Sequence, residues 1–227
     1  MDIGNSSSNQ SIYDAYNSLL FSEDKAILFK MIKRIELFSL VKDLHGDIVE
    51  CGVFKGAGLA LWLKLLNMYS PHDTRKVIGF DFFDPSFVDT LLNPIDREMM
   101  GKVFSRIDKH TDYSLELHTV NKKLNAIAPN KFELVKGDIV TTSKTYIESR
   151  PGFRISLLYM DLDTDEPTYN TLCNLWDRVV TGGVVVFDEY AYHVWSESNA
   201  VDRFIKEYNV TLHKTNVQSP TAYVIKT

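Results

Sequence analysis

Uninterrupted apolar runs, each followed by a turn and a helix-spaced segment, set the layout of this chain. The runs lie at about residues 47–51, 76–82 (KVIGFDF), 132–135, 155–160 (ISLLYM) and 184–187. Runs of that length, apolar on both faces, predict buried parallel strands rather than half-exposed antiparallel ones. Between them, apolar residues recur at helical spacing from about Ala57, from Tyr113 to Ala128, over Ser143–Glu148, from Pro167 to Val180 (closed by Gly182–Gly183) and from Asn199 to Tyr208. Val210–His213 and Ala222–Ile225 predict two last strands, and the short connection between them permits an antiparallel pair. Near the start, Ile27, Leu28, Met31, Ile35 and Phe38 predict a helix to about Val41, with Ser22 as N-cap and Glu23 and Asp24 in its first turn. Residues 1–11, rich in Ser and Asn, predict loose chain. From Asp84 to about Asp112 the pattern breaks down around Pro85 and Pro94, which predicts a lid or binding loop. The sum is an α/β fold: a doubly wound, mostly parallel sheet with its last strand antiparallel. Residues 1–45 form a helical cover and residues 46–227 the main domain.

The first strand runs into a turn, ECGVFKGAG, whose glycines Gly52, Gly56 and Gly58 allow sharp bends and close approach of a ligand. The order E-x-G-x-x-x-G-x-G departs from G-x-G-x-x-G, which aims backbone amides at a pyrophosphate. Glu50, just ahead of the turn, suits a ligand carrying an ammonium group, and S-adenosylmethionine is such a ligand. Taken alone, the glycines also allow the less favoured reading of an ordinary strand–turn–helix corner.

Composition removes several alternatives. A chain of 227 residues, 44% hydrophobic and 24% charged, suits one soluble domain with its own core. A formal charge of −5 with scattered basic residues argues against a nucleic-acid surface. No apolar run approaches the roughly 18 residues of a membrane span. The start, MDIGNSSSNQ, lacks the regions of a signal peptide, so cytoplasm is the expected location. Cys51 and Cys173 sit in apolar segments and read as buried thiols rather than disulfide partners or metal ligands.

Ligands in open α/β sheets gather outside the carboxyl ends of the strands. Every predicted parallel strand here ends in an acid: Glu50, Asp81, Asp138, Asp161 and Asp188. Asp81, beside the glycine turn, can accept the ribose hydroxyls of an adenosyl ligand. Asp138 can meet an adenine amino group, with Ile139 against the ring, or cap the turn after Gly137. Asp161 and Asp163, with Asp188 and Glu189, converge if the fourth and fifth strands are neighbours. Carboxylates sharing a site repel, and a hard cation such as Mg²⁺ would relieve that repulsion. Asp165 and Glu166 read instead as a solvated rim that caps a helix. Of six histidines only His193, after the fifth strand, lies where it can face a substrate.

Together these motifs resemble class I S-adenosylmethionine-dependent methyltransferases, and more closely the macrocin O-methyltransferase family. The carrying segments are VECGVFKGAG, FDFFD, VKGDI, YMDLD, GGVVVFDEY and WSESNAVDRF, over about Gly46 to Phe204. The resemblance implies a Rossmann-like methyltransferase fold and methyl transfer to a hydroxyl of a sugar or sugar nucleotide. It implies that the turn (Glu50, Gly52, Val53, Phe54, Gly56, Gly58) holds the methionine part of the cofactor, that Asp81 holds the ribose, that Gly137, Asp138 and Ile139 lie at the adenine end, and that Phe82 also contacts the cofactor. Asp161, Asp188 and Glu189 match the family's magnesium ligands, with Glu189 standing where the family commonly has a second Asp. Asp161 or Asp163, with His193 as an outsider, would take the acceptor's proton. The alternatives are a nicotinamide-dependent oxidoreductase, a hydroxylase relative, or a non-catalytic adenosyl-ligand binder. A homo-oligomer formed through Tyr13, Tyr16 and Phe21 is left open.

Overall fold

The computed structural model describes residues 6–105 and 115–227. The apolar runs become β1 (Asp47–Cys51), β2 (Val77–Asp81), β3 (Phe132–Lys136), β4 (Ile155–Met160) and β5 (Val179–Phe187), followed by β6 (Leu212–Lys214) and β7 (Ala222–Ile225). They form one seven-stranded sheet in the order β3-β2-β1-β4-β5-β7-β6. β1 through β5 run parallel, and β7 is antiparallel to both β5 and β6.

Helices cover both faces, which is why β4 is buried along its whole length. Side chains alternate across the sheet. On one face Val49, Phe80, Leu158 and Phe187 pack against Tyr146, Leu172 and Phe204, from α6 (Ile139–Glu148), α7 (Asp165–Leu175) and α8 (Glu197–Tyr208). On the other, Ile48, Leu157, Tyr159 and Val186 pack against Phe38, Trp62 and Leu124, from α2 (Ala26–Val41), α3 (Ala57–Tyr69) and α5 (Leu117–Ile127). The strand order reverses at β1, whose neighbours are β2 and β4, so a switch point opens at its carboxyl end. Gly52 makes the crossing there with φ +92°, and a Cβ on it would fall 1.9 Å from the carbonyl oxygen of Asp161. Only glycine fits.

Several elements differ from the sequence pattern. Residues from Ser6 to Leu20 form a helix, α1, where loose chain was expected to residue 11. Ser22 does not cap α2; its hydroxyl accepts from the Asp24 amide, and Asp24 in turn accepts from the Ala26 amide at 2.8 Å. The apolar stripe of α2 faces outward: Ile27, Met31 and Ile35 are exposed, while Arg34, Leu37, Phe38 and Val41 are buried. The stretch after Asp84 is helical, with a 3-10 turn over Pro85–Thr90 and α4 over Pro94–Ser105. Both prolines stand at the first helical position, where a missing N–H costs nothing. Asp84 and Asn93 cap these segments by accepting from Ser86 and Ile95 amides. α7 begins at Asp165 and ends at Leu175, earlier than expected, and Gly182 and Gly183 belong to β5. There the register jumps from Ile155 against Val179 to Leu157 against Val184, so β5 bulges across residues 180–183. Tyr113, His110 and Asp112 lie outside the described residues. Both cysteines are free; Cys51 is buried and Cys173 half-buried. Among the described residues no helix is long and apolar enough to cross a membrane.

Candidate active site

The carboxyl ends of β1, β2 and β4 wall a cavity of about 260 Å³, roofed by the 3-10 turn and α4. Asp81 organises its floor. Oδ2 accepts from the amides of Val53 (2.7 Å) and Phe54 (2.9 Å), and Oδ1 accepts from Phe83 (2.8 Å). The carboxylate thus ties the glycine turn to the end of β2. Oδ1 keeps a lone pair for a ligand hydroxyl. Phe82 stacks on Phe87 with ring centroids 4.8 Å apart, and Phe104 meets Phe87 edge-on at 5.5 Å, making an aromatic roof. Gly137 and Ile139 line the same cavity, whereas Asp138 does not. Asp138 caps α6, accepting from the Val140 amide at 3.1 Å and the Thr141 hydroxyl at 3.2 Å.

Glu50 borders an adjoining cavity between α2 and α3, but its carboxylate is also held from within the core. It is 2% exposed, and its oxygens accept from Arg34 Nη1 (3.0 Å) and Trp62 Nε1 (3.0 Å). A carboxylate this deep in the core must be paired, and the partners come from α2 and α3. The Arg34 guanidinium also lies 3.9 Å from the centroid of the Tyr159 ring. Gly58 makes room for this pair, since a Cβ there would meet Arg34 Nη1 at 2.0 Å and Glu50 Oε1 at 2.1 Å. Gly56, at φ +85°, is the N-cap of α3. Gly52, Phe54, Lys30 and Asp161 also line that adjoining cavity between α2 and α3.

The acids of β4 and β5 do converge, because those strands pair directly. Lys30 reaches from α2 and sets Nζ 3.1 Å from Asp161 Oδ2 and 2.9 Å from Asp188 Oδ2. Asp188 further accepts from the Tyr159 hydroxyl at Oδ1 and from Ser219 Oγ at Oδ2, the latter at 2.7 Å. Burial works against the charge on Lys30, but Asp161 and Asp188 outweigh it and hold the ammonium protonated. Burial and Asp188 push Asp161 up to about 6. Asp163, on a left-handed residue at φ 62°, is pushed well above the carboxylate range by burial and by Asp161. Burial, Asp188 and Asp161 push Glu189 up to about 8. Glu189 Oε2 and Glu197 Oε2 are buried without a hydrogen-bond partner among the described residues. Glu197 is likewise driven up by burial and Asp163.

No group of three or more His, Cys, Asp or Glu side chains among the described residues is arranged to hold a metal ion. The expected Mg²⁺ at Asp161, Asp188 and Glu189 is therefore not supported. Asp161 and Asp188 both turn Oδ2 to Lys30, and the remaining oxygen of Asp188 is taken by Tyr159. His193 is exposed and lines none of the cavities described. Asp165 and Glu166 stand in the first turn of α7, as expected, and Arg203 from α8 pairs with both at the surface. The residues that the pattern did not single out are Lys30, Arg34, Tyr159, Ser219 and Glu197. For the first two a signal exists: two bases one helical turn apart inside an apolar segment.

Residues 30–226 match the model of the family described as Macrocin-O-methyltransferase (TylF). Over 155 residues the chain is 25% identical to the 8-demethyl-8-(2,3-dimethoxy-alpha-L-rhamnosyl)-tetracenomycin-C 4'-O-methyltransferase of Streptomyces olivaceus, covering 67% of this chain and 56% of that protein. Over 149 residues it is 26% identical to the Mycinamicin III 3''-O-methyltransferase of Micromonospora griseorubida, covering 64% and 55%. The match thus spans little more than half the length of either relative. Among solved structures, the calicheamicin methyltransferase CalS11 superposes with a TM-score of 0.72 at 21% identity, over 96% of this chain and 91% of that one. The O-methyltransferase NovP gives a TM-score of 0.72 at 21% identity, over 88% and 80%. At such identity these two structures bear on the fold.

Proposed function

The chain belongs to the macrocin O-methyltransferase family, and from that premise we propose that it is an S-adenosylmethionine-dependent O-methyltransferase acting on a sugar hydroxyl of a small molecule or sugar nucleotide. The observation that carries the reading is the cavity at the switch point. Its lining includes Asp81, an aromatic roof, and the carboxylates of Asp161 and Asp163. Those parts fit the three chemistries of the cofactor: ribose hydroxyls, a flat base and a positively charged sulfur. S-adenosylmethionine, when bound, supplies an electrophilic methyl group.

This chain's residues supply the rest. Asp81 holds the ribose, while Phe82, Gly137 and Ile139 take the base. Gly52, Val53 and Phe54 present the turn to the methionine part. Asp161 accepts the acceptor hydroxyl's proton as the oxygen gains its methyl group. Fixing acceptor and donor in line supplies much of the remaining rate. The lid helices over 85–105 and the inner face of α2 cover the reaction from water. The two relatives named above are both O-methyltransferases, one on a rhamnosyl-bearing substrate, which favours a sugar acceptor here.

The test has two steps. Calorimetry with S-adenosylhomocysteine and with NAD⁺ separates this function from an oxidoreductase on the same sheet. A screen of sugar nucleotides and glycosylated small molecules with labelled methyl donor then finds the acceptor. Binding of NAD⁺ in place of S-adenosylhomocysteine would overturn the reading.

A further inference from the structure

Asp161 and Asp188 leave β4 and β5 side by side, and the group that bridges them is an ammonium on α2. We propose that Lys30 is a built-in cation that stands where a divalent metal would bridge these two carboxylates, so that methyl transfer in this protein needs no metal ion. The inference rests on the proposed methyltransferase reading for its chemistry, but the cation site itself is argued from geometry.

Three observations converge. First, Nζ lies within hydrogen-bond distance of one oxygen on each carboxylate, so a single cation already serves both acids. Second, Asp188 is 2% exposed and both its oxygens already have donors: Tyr159 gives to Oδ1, while Lys30 and Ser219 share Oδ2. Third, the Lys30 side chain is 34% exposed and lines three cavities: the one under the aromatic roof, the one between α2 and α3, and a small one edged by Asp188, Glu189, Tyr192 and Ser219.

An ammonium has three N–H donors. Two are spent on Asp161 and Asp188, and the third is free for an oxygen bound in these cavities. There it would do part of what a metal does. It fixes the acceptor hydroxyl and stabilises negative charge as the O–H bond breaks. Asp161 takes the proton as the C–O bond forms at the expense of the donor's methyl–sulfur bond, so charge and atoms balance.

The experiment is manganese binding followed by electron paramagnetic resonance, on metal-free wild-type protein and on Lys30→Ala. Wild type should leave the Mn²⁺ spectrum that of the free ion, and its turnover should be unchanged in excess chelator. Lys30→Ala should bind one Mn²⁺, lose that binding when Asp188→Asn is added, and lose turnover by about a hundredfold, the scale of one missing donor at developing charge. Added Mg²⁺ should restore part of that loss. Stoichiometric Mn²⁺ binding by wild type that disappears in Asp188→Asn overturns the proposal. So does a folded Lys30→Ala protein that binds no Mn²⁺. If Lys30→Ala does not fold, the wild-type spectrum and chelator insensitivity decide alone. Manganese binding needs neither donor nor acceptor, so failure to find methyl transfer counts against the proposed function and not against the cation exchange.

Discussion

Arg34 Nη1 lies 3.0 Å from Glu50 Oε1 with both side chains sealed from water, one on the covering helix and the other on the central strand. The pair joins α2 to the sheet at the point where the ligand turn begins. Removing one member strands a buried charge, which costs more than a surface pair ever contributes. Arg34→Met should therefore destabilise the fold by about 3–5 kcal/mol. The double variant with Glu50→Gln should recover much of that loss, because no naked carboxylate remains. Urea unfolding of the two single variants and the double decides it. Additive losses would mean that the two side chains do not interact as described.

Asp81 binds three backbone amides, at Val53, Phe54 and Phe83, and so shapes the turn as well as facing the cavity. Asp81→Ala should weaken S-adenosylhomocysteine binding by about 1.5–3 kcal/mol, the range for hydrogen bonds to a charged acceptor. Calorimetry reads the loss. Unchanged affinity would leave Asp81 a purely structural clamp.

The parallel strands were legible because contiguous apolar runs such as Ile155–Met160 have no other stable home than a sheet covered on both faces. The strand-end acids were legible as a group for the same reason: the strands aim them at one edge. The α2 helix was not. Its strongest periodicity, at Ile27, Met31 and Ile35, marks the outward stripe. Its inward positions Lys30 and Arg34 pair with acids far along the chain, at residues 50, 161 and 188. Local spacing marks the two bases, one helical turn apart, but not the distant acids they pair with. Pro85 and Pro94 misled in another way, since the same residue that breaks a helix interior also starts one.

Glu189 gives a pH signature. Burial with Asp188 and Asp161 nearby pushes its carboxyl from 4.5 up to about 8. Between those values the folded protein keeps a proton that the unfolded chain has released, so stability falls as pH rises through the window. Asp163 and Glu197 shift in the same direction and add to the slope. Glu189→Gln removes one of these groups. Urea midpoints measured from about pH 5 to about pH 8 should decline less steeply in the variant than in wild type, and equal slopes would show that Glu189 ionises normally.

Asp161 is the carboxylate placed to act as base, and the argument is by state as well as position. Glu189, pushed up to about 8 by burial and neighbouring acids, holds its proton at neutral pH, and burial with Asp161 pushes Asp163 the same way. Asp188 spends its oxygens on Tyr159, Lys30 and Ser219. Asp161, pushed up only to about 6, is ionised at neutral pH, and its side chain is 23% exposed at the wall of the cavity under the roof. A base with that value must lose its proton before it can work. Turnover should rise as pH passes through about 6 and level off above it. Asp161→Asn should cut turnover by about 10²–10⁴-fold, the range for a positioned general base. Asp163→Asn should leave the acid limb of the profile where it is, since that limb reports the titration of Asp161. Full turnover in Asp161→Asn, or a profile flat through the acid range, would move the proton to another acceptor. The carboxylate would then serve only to hold Lys30.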